Sequence, residues 1–143
     1  MTQGSGLERF VRAQAGIYPS ALAELQAGRK QTHWMWFVFP QIAGLGLSQT
    51  SRLYAIDGRD EAQAYLDHDL LGPRLRECTR AMLAHAGKRT PLQVLGPIDA
   101  LKFRSSMTLF EVADGEGSVF SEALDELCGG ERDAATLGLL DAP

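Results

Sequence analysis

A chain of 143 residues and 15.6 kDa has the size of one domain built on one hydrophobic core. Hydrophobic residues make up 45% and charged residues 22%, a globular mix that excludes a disordered or fibrous chain. The net charge of -4 and the pI near 5.3 argue against duplex nucleic acid as a partner, because displacing its counterions takes a basic face.

The longest apolar run, Trp34–Pro40, falls far short of the roughly 20 residues that a spanning helix needs, so no membrane association is expected. The opening Met1-Thr2-Gln3-Gly4-Ser5-Gly6 has neither the charged nor the apolar part of a secretory signal. Residues 1–6 read as a disordered tail of a single domain spanning 1–143, and the whole as a cytoplasmic protein. Cys78 and Cys128 fall on apolar helical faces, which suits reduced core thiols. His33, His68 and His85 lack ligand spacing, so neither a metal nor another cofactor is expected.

In chain order, Leu7, Phe10 and Val11 set a first helix ending near Gly16. Pro19 opens a second, which Gly28 stops. Arg29–Thr32 is a polar loop leading into His33-Trp34-Met35-Trp36-Phe37-Val38-Phe39-Pro40, where the unbroken apolar run fits a buried strand and a buried helical turn equally well. Ser48 caps a short segment through Tyr54, and Asp57-Gly58 turns into a helix begun by Asp60-Glu61. Leu71, Leu75, Cys78 and Met82 make the stripe of the next helix, ended by Gly87. Thr90-Pro91 opens a short helix, and Asp99 reads as the cap of one carrying Phe103, Met107 and Phe110. Ser118 caps another, and Asp133 starts the last. The fold expected is mainly α: one compact domain of about seven or eight short helices, with a minor β element possible around Trp34–Phe39.

Three segments hold polar groups that a helical core does not need. In the first, Lys30, His33 and Gln41 bracket the Trp34 and Trp36 block. As a histidine, His33 could serve as acid or base, whereas the bland reading makes the aromatics core and His33 structural. In the second, Gly44, Gly46 and Ser48 could expose backbone N–H groups to an anion, or form a plain turn. The loop lacks the lysine of a phosphate-binding P-loop and the three glycines of a dinucleotide fingerprint. In the third, Lys102 and Arg104 with Ser105, Ser106 and Thr108 could grip a phosphate or carboxylate. The alternative is a solvated basic face whose hydroxyls bond back to helix carbonyls.

The block His33-Trp34-Met35-Trp36-Phe37-Val38-Phe39-Pro40-Gln41, with Ala43-Gly44-Leu45-Gly46 and Ser105-Ser106-Met107-Thr108-Leu109-Phe110, resembles a small bacterial family classed as a domain of unknown function. Its members are sometimes labelled "calpastatin". The resemblance runs from Arg9-Phe10-Val11 to Thr136-Leu137 and implies a small, mainly helical domain, with no established activity attached. Asp69 departs from the family's usual proline and Phe103 from its usual leucine. Calpastatin-type inhibitors resemble disordered, proline-rich chains, whereas this sequence has six prolines and its own core. A fainter likeness is to glycosidases acting on NAD- and ADP-ribose-type N-glycosidic bonds.

These readings point to a small enzyme or enzyme-like pocket for a small anionic, phosphorylated or nucleotide-like ligand. Trp34 and Trp36 would supply stacking, and Lys102 and Arg104 the charge. Were the reaction N-glycosidic hydrolysis, its oxocarbenium-like transition state would need a carboxylate, and Asp99 and Glu61 are the candidates beside His33. The alternative is a non-catalytic protein-interaction module whose aromatics are simply core. His33, Gln41 and the Lys102–Thr108 segment are expected to converge on one cleft if the ligand reading holds.

Overall fold

Glycine stops and hydroxyl caps divide the chain into ten helices among the residues described by the computed structural model, 3–46 and 48–141. They are α1 (Gln3–Gln14), α2 (Tyr18–Ala27), α3 (Met35–Val38), α4 (Gln49–Leu53), α5 (Arg59–Asp67), α6 (Leu71–Leu83), α7 (Pro91–Leu95), α8 (Pro97–Asp114), α9 (Val119–Leu127) and α10 (Ala134–Asp141). The count exceeds seven or eight because α3, α4 and α7 are turns of four or five residues. Helix α1 starts at Gln3, so the expected tail is helical from there; Met1 and Thr2 lie outside the described residues.

Local chemistry explains the boundaries. Ser48 and Ser118 each accept from the backbone N–H three residues on, and Thr90 forms a reciprocal capping box with Gln93. Gly28 ends α2 at φ 80°, a left-handed conformation that needs no Cβ. The Trp34–Phe39 run resolves as the helical turn α3. The β element lies just beyond it, as one parallel bridge between Ile42 and Ile56. Asp99 is not a cap: Gly96 stands at the start of α8, and Asp99 falls in its first turn.

Helix α8 runs through the middle of the molecule, packed by α5, α7, α9 and α10. Ser105 through Phe110 are all buried, more than one full turn, so every face is covered there. Phe103 meets Phe39 edge-on at 5.1 Å between ring centroids, and Phe110 lies between Tyr65 and Phe120. Burying each such ring is worth roughly 1.5–3 kcal/mol, so this aromatic column is a principal stabiliser.

The backbones of α5 and α6 approach closely at Gly72, where an added Cβ would run into the Leu66 carbonyl oxygen. Gly72→Ala must therefore push the two helices apart. It is expected to lower stability by about 1–3 kcal/mol, read as a fall in the urea midpoint at unchanged helical circular dichroism.

Candidate functional site

The corner leading into the aromatic block is built on one carboxylate. Glu24 on α2 accepts from the Gln31 and Thr32 backbone N–H groups at 2.8 and 3.0 Å, from the Thr32 hydroxyl at 2.7 Å and from Trp34 Nε1 at 2.9 Å. Partial burial works to raise its pKa, but these donors outweigh it and bring the carboxyl down to about 2. The indole of Trp34, 1% exposed, is thus satisfied at its one polar atom while its ring enters the core.

Lys30, on the same corner, reaches across to α8. Its ammonium is 3.0 Å from Asp99, whose other oxygen is 3.2 Å from Lys102 Nζ. Lys30 Nζ also lies 5.1 Å from the Trp34 ring centroid, and Lys102 Nζ lies 4.1 Å from that of Trp36. Two ammonium groups, one bridging carboxylate and two indoles therefore form a single assembly.

A cleft of about 300 Å³ opens beside it, lined by Trp36, Gln41, Ile98, Lys102, Ser105 and Asp133 among others. Across Trp36 and Gln41 lies a smaller, more enclosed chamber of about 110 Å³, reached by Ala43, Gly44, Arg52 and Tyr54. The two cavities share Trp36, Gln41, Leu45 and Gly46. Gln41 is fixed by the bridge to Ile56, whose N–H donates to its carbonyl at 2.8 Å. Its side-chain Nε2 is buried with no hydrogen-bond partner among the described residues.

Of the residues singled out from sequence, the cleft gathers Trp36, Gln41, Gly46, Lys102 and Ser105, with Lys30, Trp34 and Asp99 joined to it through the Lys102–Asp99 pair. Gly44 lines only the chamber. His33 is exposed and lines neither cavity, because its neighbours Thr32 and Trp34 are both tied to Glu24. Glu61 is held by Arg9 at 3.3 Å and accepts from the Asp57 N–H, so it too lies outside both cavities. Ser48 caps α4, while Arg104 and Ser106 have buried Nε and Oγ atoms without partners among the described residues, away from the cleft lining.

Two hydroxyls of α8 fasten a neighbouring element. Ser105 donates to Asp133 Oδ2 at 3.1 Å and Thr108 accepts from the Asp133 N–H at 2.9 Å, which fastens the start of α10. The glycine loop is also steric: a Cβ on Gly46 would sit 2.5 Å from the Ser51 side chain, and one on Gly44 would meet Leu139 at 3.1 Å. Sequence reasoning missed Glu24, Arg52 and Ile98, and took Asp133 only for a helix start; the Asp133-x-x-Thr136 cap spacing was the available signal.

Elsewhere the titratable groups read as structural. Burial raises the Cys78 thiol to about 12 and also raises that of Cys128; both cysteines are free. Arg132 hydrogen-bonds Glu111 and holds its carboxyl below the usual range. Among the described residues no His, Cys, Asp or Glu group is arranged to hold a metal, and no helix is long and apolar enough to cross a membrane.

A family model described as "Protein of unknown function (DUF1810)" matches residues 4–140. The crystal structure of a conserved hypothetical protein from Mycobacterium tuberculosis, Rv1873, is 50% identical, superposes with a TM-score of 0.91, and is matched over 96% of this chain and 97% of that one. No curated protein matches.

Glu24 also sets an acid limit for the fold. With its folded pKa near 2 against an ordinary 4.5, its stabilisation is complete above about pH 4.5 and is lost as pH falls toward 2. Glu24→Gln keeps one acceptor oxygen and loses the charge. It should cost about 1–3 kcal/mol at pH 7, and the gap to wild type in the thermal midpoint should shrink between pH 4.5 and 3.

Proposed function

We propose, on the premise that the chain belongs to the DUF1810 family of proteins of unknown function, that it binds a small anionic, phosphorylated or nucleotide-like ligand in the cleft beside Trp36 and Lys102. The observation that carries this reading is the Lys102 ammonium standing 4.1 Å over the Trp36 ring on the wall of a cleft of about 300 Å³. Such a volume is at the lower end for small-ligand sites. Trp36, only partly buried, offers a face on which a planar group can stack. Lys102 gives one hydrogen bond to Asp99, which leaves its remaining N–H donors for phosphate or carboxylate oxygens.

A hydrolytic form of the reading, acting on NAD- or ADP-ribose-type N-glycosidic bonds, would draw its carboxylate from Asp133. That residue lines the cleft, with Oδ2 oriented by Ser105 and Thr136. Asp99 and Glu61 suit the role less, since each is already engaged by cations. A second reading, a protein-interaction module, is favoured by one observation: Ile98 is 70% and Leu101 61% exposed along the cleft edge.

Thermal shift and calorimetry with ADP-ribose, NAD and nucleoside monophosphates separate the two. Saturable binding to at least one is expected, adding about 2.7 kcal/mol of stability at a hundred times Kd. Trp36→Ala and Lys102→Ala should each weaken it about tenfold or more. No binding by any of them would leave the interaction module as the better account.

A further inference from the structure

Resting on the cleft reading, we infer that Asp133 reads a hydroxyl on the bound ligand through its free Oδ1. The ligand class is then a sugar phosphate, alone or as the ribose 5-phosphate end of a nucleotide, with its phosphate at Lys102 and a ring hydroxyl at Asp133. The role concerns binding alone and requires no bond to be broken.

Every other polar atom of Asp133 is spent inside the protein. Its N–H donates to Thr108 Oγ1 at 2.9 Å, and its C=O accepts from the Leu137 N–H at 3.1 Å. Oδ2 accepts from Ser105 Oγ at 3.1 Å, from the Thr136 N–H at 3.1 Å and from Thr136 Oγ1 at 2.5 Å. Oδ1 has no hydrogen-bond or ion-pair partner among the described residues and, unlike Gln41 Nε2, is not closed off from solvent. Asp133 lines the cleft beside Ser105 and Ala135, so Oδ1 is the polar atom it offers there. Three donors from α8 and α10 hold the carboxylate at one angle, which sets this acceptor before a ligand arrives.

The cleft therefore presents two unlike polar groups, the Lys102 ammonium and the Asp133 oxygen, on walls that are mainly apolar, from Trp36, Leu45, Ile98 and Leu101. The two are not paired with each other, since Lys102 is bound to Asp99 and stands over Trp36. A bare phosphate would satisfy the lysine and be repelled by the carboxylate. A carboxylate oxygen takes only donors, and an ammonium donor would meet the Lys102 charge within the same small cleft. A neutral hydroxyl meets neither penalty. An anionic group at one end of a compact carbon ring that carries hydroxyls answers both groups at once, and that is a sugar phosphate. A cleft of about 300 Å³, at the lower end for small-ligand sites, suits a molecule of that size.

Calorimetry on the full chain tests this with ribose 5-phosphate, adenosine 5′-monophosphate, its 2′,3′-dideoxy form and phosphoethanolamine, which carries an ammonium in place of the hydroxyls. Adenosine monophosphate is expected to bind about tenfold tighter or more than its dideoxy form, as one hydrogen bond to a charged group provides. Ribose 5-phosphate should exceed phosphoethanolamine by a similar factor. Asp133→Asn keeps an acceptor for Ser105 and Thr136 and puts an amide nitrogen where Oδ1 stands. It should bring the two nucleotides within about threefold of each other, with the dideoxy form bound as well as before or better, because a negative charge has left the cleft. A merely structural Asp133 would move both nucleotides together. Lys102→Gln should weaken both and preserve their ratio. A circular dichroism melt checks that each variant folds, and should Asp133→Asn fail to fold, the wild-type ratios still decide. Equal binding of the nucleotide and its dideoxy form, a ratio that survives Asp133→Asn, or phosphoethanolamine binding tighter than ribose 5-phosphate would overturn the Asp133 assignment while leaving the cleft reading intact. Binding by none of them, with ADP-ribose and NAD also silent, would remove both.

Discussion

A helix with no face left for water dictates the rest of this molecule. From Ser105 to Phe110 α8 is buried all round, so other elements must enclose it rather than merely pack on one side. Several of them supply an aromatic or a hydrogen bond. Phe39 comes from the α3 corner, Tyr65 from α5, Phe120 from α9, and the Asp133 backbone from the start of α10. The N-terminal turns of α8, through Lys102, escape this enclosure. There Ile98, Leu101 and Lys102 emerge beside Trp36, and the cleft forms where the wrapping stops.

Two carboxylates then set the position of the indoles. Glu24 holds the backbone ahead of Trp34 and the indole N–H, while Asp99 draws in Lys30 from the same loop and Lys102 from α8. The Lys30 side chain is only 10% exposed, and an ammonium so far from water persists only with a paired charge. Asp99 therefore makes the loop-to-helix junction possible at all. Removing it would leave two ammonium groups close together against aromatic rings, with repulsion where there is now a bridge.

The legible parts of the sequence were those decided by neighbours in the chain. Caps at Ser48, Thr90 and Ser118 and the stop at Gly28 depend on partners a few residues away, and they stand where spacing puts them. Trp34–Phe39 carried no period, so only the surrounding core could choose a helical turn for it. Asp99 looked like a cap because its real partner, Lys30, is remote in sequence. The fastening of α10 by Ser105 and Thr108 was not legible, because it involves a backbone and carboxylate 25 to 28 residues on. That Trp36, Gln41 and Lys102 line one cleft was readable because polar residues at the ends of apolar runs must surface where those runs pack. His33 shares that position but was turned outward by the Glu24 clamp.

Phe103 shows how a single ring fits this scheme. Its ring completes the edge-on contact with Phe39, so the α3 corner is anchored to α8 by two aromatics as well as by the Lys30–Asp99 pair. Hydrophobic and ionic fastenings respond differently to the solvent: salt weakens an ion pair near the surface and leaves a buried ring contact largely unaffected. A cleft walled by elements fastened in both ways keeps its shape when either is perturbed. That rigidity matters for a site with few polar groups. In an acidic protein long-range attraction of an anion is weak, so on the proposed reading affinity would come from Lys102 and Trp36, already standing together before a ligand arrives.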